Sequence, residues 1–256
     1  MPRWLRILIA TVLAAGSTAM AQRDAPALPQ DSDFGDAIYD GRITFARLMW
    51  RSQGGGGRFR GGWGSAWNHD YPRAEQHLSL ILRELTHVDI RTDGSKVLML
   101  DDPELFKYPI AFMWEPGFWM LTDREAESFR AYLLKGGFAV FEDFDGPQQW
   151  NNFEAQMRRV LPEGRFVKLE NAHRIFNTFF SIEHIESIVH PMSHITPSYY
   201  GVFENNDPSK RLMVVANFDN DVPEYWEWSG QGLFPFDASN EAYKLGVNYM
   251  VYGLTH

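Results

Sequence analysis

Apolar positions along the chain fall into short runs of two periods, and the switches between them mark out the elements. Ile43 to Met49 (ITFARLM) alternates in the manner of a strand, with Ile43 and Phe45, joined by Arg47, on one face and Thr44, Ala46 and Leu48 on the other. Leu78, Ile81, Leu82 and Leu85 then recur at the spacing of one helical stripe, and Pro72, following Asp70, suits the first turn of that helix. Short strands are expected at His87–Ile90 and Ile110–Trp114, separated by the polar break Asp101-Asp102-Pro103. Thr122-Asp123-Arg124-Glu125 has capping-box form and predicts a helix whose Phe129, Tyr132 and Leu133 face a core. Gly136-Gly137 ends it, and the strand Phe138–Phe141 follows at once. A helix at about 153–161 stopped by Pro162, a strand at 212–216 and a last helix at about 240–252 complete the series. Strands alternating with helices across short connections predict an α/β fold, a mainly parallel sheet flanked by helices on both faces.

Two stretches do not join this pattern. Residues 22–40 are rich in Pro, Asp, Ala and Gln with little periodicity, as expected of a flexible linker, so the folded domain is read as 41–256. The run from Gly54 to Gly64 is too rich in glycine for helix or strand and is expected to be a loop.

The start of the chain changes the expected compartment. Arg3 and Arg6 precede the apolar run Ile7–Ala15, and Ala19-Met20-Ala21 supplies small residues at the two positions a signal peptidase reads; residues 1–21 are therefore expected to be a secretory signal peptide. The apolar run is too short for a spanning helix, and no later segment reaches spanning length without charges. The expectation is an exported protein, periplasmic or extracellular, with no membrane span after cleavage. Removing the leader deletes two arginines and no acid, so the formal net charge moves from -9 to -11. Such a balance argues against nucleic acid as a partner. The absence of cysteine excludes disulfides, thiolate metal sites and a thiol nucleophile.

Several of these segments occur together in one known group. ITFARL, GGGGRF, DYP, RELT, DDPELFKYP, the stretch Tyr132–Val140 (YLLKGGFAV), Phe218-Asp219-Asn220-Asp221 and Leu245–Tyr249 resemble, in order, the bacterial domain of unknown function DUF4159. The resemblance implies a flavodoxin-like fold similar to that of the class I glutamine amidotransferases. It also implies an association with cell-envelope operons that hold MoxR-type ATPases and von Willebrand A-like proteins, and it names no activity. In the amidotransferases a nucleophilic cysteine follows a strand like Phe138–Phe141. Here the equivalent turn reads Glu142-Asp143-Phe144-Asp145, so cysteine-dependent amidotransferase chemistry is excluded.

Ligands of open α/β sheets bind beyond the carboxyl ends of the strands, which directs attention to the loops there. In the glycine loop, Gly55 and Gly56 can aim backbone amides at an anion while Arg58 and Arg60 add charge; the Gly-Lys-Ser/Thr ending of a P-loop is missing, and a plain surface loop is the competing reading. Asp70 and Trp119 join them as candidate ligand-binding residues. Glu142 and Asp143, with Glu115 after the Ile110 strand, are the candidate catalytic carboxylates; they could supply acid and base or hold a hard divalent cation such as magnesium or calcium, or simply form a solvated acidic turn capping the next helix. Asp219, Asn220, Asp221 and Glu224 could contact a ligand or form an Asx-type turn. His184, His190 and His194 lack a zincin motif and carry no metal assignment. The loop aromatics Trp63, Trp67, Trp114, Phe118, Trp119, Trp226 and Trp228 either stack on a sugar or protein partner or roof the core. No cofactor is evident beyond a divalent cation, and the partners left open are a small molecule, a glycan or an envelope protein. Two functions follow: a cell-envelope binding module, or a hydrolase-like enzyme built on the acidic cluster.

Overall fold

A single eight-stranded sheet organises the chain, and its central strands are apolar on both sides because helices cover both faces. The structure is a computed structural model that describes residues 35–52 and 66–256. In chain order the strands are β1 (Gly35–Asp36), β2 (Ala46–Met49), β3 (Arg51–Ser52), β4 (Gly94–Met99), β5 (Ile110–Trp114), β6 (Trp119–Met120), β7 (Phe138–Phe144), β8 (Val167–Lys168), β9 (Ser198–Phe203) and β10 (Leu212–Phe218). The α-helices are α1 (Arg73–Leu85), α2 (Asp123–Leu134), α3 (Gly146–Val160), α4 (Val222–Glu227) and α5 (Phe236–Thr255).

The sheet runs β1-β4-β2-β5-β7-β10-β9-β8, with β3 and β6 paired separately. From β1 to β10 every pairing is parallel; β9 is antiparallel to β10, and β8 to β9. Counted in chain order, the five strands β2, β4, β5, β7 and β10 lie 2-1-3-4-5, the flavodoxin-like order, whose switch point falls between β2 and β5. The expected mainly parallel α/β fold is present.

Side chains alternate across the central strands into two cores. Phe45, Ile110, Phe112, Trp114, Phe138 and Val140 pack under α1, α4 and α5, while Ala46, Leu48, Ala111, Met113, Ala139 and Phe141 pack under α2 and α3. The Thr122–Glu125 capping box is present in both halves, and Gly136, at φ 116°, turns the chain from α2 toward β7.

The structure corrects several boundaries. The strand expected at 87–90 contributes only an isolated bridge from Ile90 to Ile43; the true strand is β4, whose polar opening Gly94-Ser95-Lys96 hid it. Lys96 is held there by Asp36 of the neighbouring β1, at 2.9 Å. That strand lies in the stretch expected as a linker, of which only the part from Gly35 is described. Helix α1 starts at Arg73, with Pro72 as the residue before it. The acidic turn expected after Phe141 is instead the last part of β7, which stays in the ladder beside β10 through Phe144 because Phe144 is buried against Trp150 and Phe153. Helix α3 follows at Gly146, well before the expected start. Among the described residues no helix is long and apolar enough to cross a membrane.

Candidate functional site

The parallel strands deliver acidic side chains to one end of the sheet, and the loop before α1 lays a histidine among them. Asp70, Glu115, Asp143 and Asp219 stand where strands end or helices begin, and each has a positive φ, between 49° and 60°. A non-glycine residue in that region is uncommon, and such residues gather at functional sites.

His69 and Asp70 follow the short 3-10 turn Ala66–Asn68. The imidazole is half-exposed, with Nδ1 2.6 Å from Asp143 Oδ2 and 3.7 Å from Glu115 Oε1; its Nε2 lies 3.7 Å from Asp70 Oδ1. The hydrogen bond to Asp143, helped by the charges of Asp70 and Glu115, raises the His69 pKa to about 10. The Asp70 side chain has no exposed surface. Its Oδ2 accepts from Trp114 Nε1 at 2.9 Å, while Oδ1 has no hydrogen-bond partner among the described residues and faces the imidazole. Burial, reinforced by the Asp143 charge, pushes Asp70 up to about 7.

Burial and the nearby Asp143 raise Glu115 to about 8. Burial raises Glu224 to about 7, and the Asp70 charge adds to it. Asp221 is pushed well up by burial and then by Asp143, and its Oδ1 accepts from Glu224 N at 3.2 Å to cap α4. Glu227, at the end of α4, is raised by burial and by Glu224. Asp70, Glu115, Asp143, Asp221, Glu224 and Glu227 thus crowd six carboxylates into one corner around the His69 imidazole, and the Arg47 guanidinium near them is already matched by Glu75.

Two donor sets emerge. His69, Asp143 and Asp221 offer ligand atoms within 4.8 Å of one another, and so do His69, Asp70 and Glu224. Carboxylate oxygens with one imidazole nitrogen suit a divalent cation of the magnesium, manganese or zinc kind.

The sequence candidates divide. Asp70, Glu115 and Asp143 meet here, joined by Asp221 and Glu224. Glu142 lies beneath them, fully buried on β7: its carboxyl accepts from Asn217 Nδ2, Asn217 Oδ1 accepts from Tyr249 OH at 2.7 Å, and burial drives the Glu142 pKa well up. Trp119 is not brought to the site; its ring is buried against Phe141 and Phe153. Trp114 and Trp226 are also core residues, whereas Phe118 is exposed. Asp145 does not cap α3 with its side chain; Asp219 Oδ1 accepts from Gly146 N at 2.9 Å in its place. Gly55, Gly56, Arg58, Arg60 and Trp63 lie outside the described residues. His184, His190 and His194 belong to neither donor set. His69 was missed, although Asn68-His69-Asp70 closing the glycine-rich segment just before a helix was the signal available.

No curated protein matches the chain. A family model does match, over residues 45–254, from β2 to one residue short of the end of α5. By that match the chain belongs to the family described as Domain of unknown function (DUF4159).

Proposed function

We propose that the corner formed by His69, Asp70, Asp143, Asp221 and Glu224 binds a divalent cation and that the protein is a metal-assisted hydrolase. One observation carries the reading: two overlapping donor sets share His69, and the buried Asp70 Oδ1 faces that imidazole without a hydrogen-bond partner among the described residues. Buried carboxylates in such excess repel one another, and a divalent cation relieves that repulsion. A cation held by carboxylates and imidazole supplies a Lewis acid and lowers the pKa of a bound water. Glu115, beside His69 but outside both donor sets, is free to receive a proton from that water or pass one to a leaving group. Of the aromatic rings a binding module would use, Trp114, Trp119 and Trp226 are buried in the core, which favours the hydrolase over the binding module.

The test is calorimetric titration of the metal-stripped chain with Mn²⁺, Zn²⁺, Mg²⁺ and Ca²⁺, paired with thermal denaturation. At least one cation is expected to bind and raise the melting temperature, and His69→Ala and Asp143→Asn to weaken it at least about tenfold, or roughly 1.4 kcal/mol. No heat and no thermal shift with any of the four would overturn the reading.

Export belongs to the same proposal. Arg3, Arg6, the apolar run Ile7–Ala15 and Ala19-Met20-Ala21 support a cleaved leader, which would present this site to the periplasm or the exterior, where a small molecule, a glycan or an envelope protein is the substrate class within reach. Mass spectrometry of the protein recovered from fractionated cells decides it, a chain beginning at Gln22 being the expected product.

A further inference from the structure

Beneath the corner lies a fully buried ion pair that the cation reading does not use. Arg47, on β2, donates through Nε to Glu75 in the first turn of α1, and neither side chain has exposed surface. Its Nη1 donates to the backbone carbonyls of Trp67 at 3.0 Å and His69 at 2.8 Å. The guanidinium carbon sits 3.6 Å from the centre of the Trp114 ring, and the indole of Trp114 in turn donates to Asp70. The pair itself is poorly satisfied, since Arg47 Nη2 and Glu75 Oε2 have no hydrogen-bond partner among the described residues.

A buried ion pair with leftover bonding capacity contributes little to folding and is often replaceable by apolar residues without loss of stability. Its bonds explain where it is. A planar fork reaches two carbonyls and a carboxylate while its face lies on the Trp114 ring, a spread that the compact ammonium of a lysine does not reproduce. Arg47 alone makes these two hydrogen bonds to backbone carbonyls of the segment, while Trp114, whose face it covers, fixes Asp70 through the indole N–H.

We infer that Arg47, braced by Glu75, is a positioning residue: it holds the backbone of Trp67 and His69 so that the His69 imidazole and the Asp70 carboxylate face Asp143 and Glu224. Only the cation arm of the test rests on the proposed function.

The experiment compares the full chain with the double variant Arg47→Met/Glu75→Leu and with Arg47→Lys, by amide hydrogen exchange, thermal denaturation and Mn²⁺ titration. The double variant is expected to melt within a few degrees of the parent. Its amides around 67–71 should exchange at least about tenfold faster, with the rest of the sheet unchanged, and its Mn²⁺ affinity should fall at least about tenfold. Lysine is expected to keep the charge and fail to restore either readout. Unchanged exchange at 67–71, acceleration spread over the whole sheet with a large fall in melting temperature, or full rescue by lysine would each overturn the inference. Should the parent bind Zn²⁺, Mg²⁺ or Ca²⁺ in place of Mn²⁺, that cation is titrated instead; should it bind none of the four, the proposed function fails and the exchange result alone decides the role of Arg47.

Discussion

His69 Nδ1 lies 2.6 Å from Asp143 Oδ2, tying the loop before α1 to the end of β7 across 74 residues of sequence. Around that contact stand Asp70 on the other imidazole nitrogen, Glu115 beside the first, and Asp221 and Glu224 completing the two donor sets. The parallel strand order explains why distant segments meet, because β2, β5, β7 and β10 all finish on the same side.

The metal-free protein should lose stability as pH rises from about 5 to 8. Asp70, Glu224 and Glu115 have pKa values raised to about 7, 7 and 8, so the folded state keeps protons the unfolded chain has released, and the advantage fades through that window. His69 works in the same direction: raised to about 10, it contributes stability that is complete below about 6.5 and declines above it. The melting temperature should fall by several degrees between pH 5 and 8, each ~1 kcal/mol being roughly 2–4 °C for a domain of this size. A flat or rising profile in metal-free buffer would contradict the burial assigned to these groups.

Glu142, a catalytic candidate from its place in an acidic run, is predicted to be structural. Glutamine can accept the same Asn217 hydrogen bond, and burial already favours the neutral carboxyl. Glu142→Gln should therefore stay within about 1 kcal/mol of the parent and change cation affinity less than about threefold. Glu142→Ala removes the acceptor for Asn217 and leaves a cavity, costing about 2–4 kcal/mol. Urea denaturation and Mn²⁺ titration of the two variants separate the roles; a Gln variant that folds normally but binds no cation would return Glu142 to the site.

The strength of local signals decided how much could be read from residues alone. The Thr122 capping box, Gly136 and the apolar runs of β5 and β7 depend on neighbours a few positions away, so α2 and the central strands were legible. Strand β4 was hidden because Gly94, Ser95 and Lys96 give no apolar alternation and acquire their place only through pairing with β1 and β2. The acidic residues of the site were visible as acids, but their partner was not. The one local sign of His69 is its place in Asn68-His69-Asp70 before a helix; what makes it the centre is contact with Glu115, just past β5, and Asp143 on β7. Arg47 read as one more position on an alternating strand, yet it lies under the loop it holds.

Gly246, in the middle of α5, faces Trp226 and Leu78. A Cβ there would meet Trp226 Cζ2 at 2.6 Å and Leu78 Cδ1 at 2.8 Å. Alanine gains about 1 kcal/mol in helix propensity, but overpacking costs about 1–3 kcal/mol. Trp226 is fully buried, with its indole donating to Ala242 O at 3.0 Å, so the ring has no room to yield. The cost therefore sits in the upper part of that range, about 2–3 kcal/mol, and Gly246→Ala should lower stability by roughly 1–2 kcal/mol in urea denaturation. A variant as stable as the parent would mean that α5 does not approach α1 and α4 this closely.

Asp70→Asn separates stability from function most sharply. The asparagine carbonyl can still accept from Trp114 Nε1, so the buried hydrogen bond survives, while the charge that Asp143 and Glu224 oppose is gone. At pH 8, above the raised pKa of about 7, the metal-free variant should melt higher than the parent by a few degrees. At pH 5, where the parent carboxyl is already protonated, the difference should vanish. Cation affinity should fall at least about tenfold, because the second donor set loses an anionic ligand. A gain in stability with a loss of binding is what a site that stores charge repulsion for a ligand must show. A variant less stable at both pH values would mean that the Asp70 charge supports the fold, and the cation reading would lose its footing.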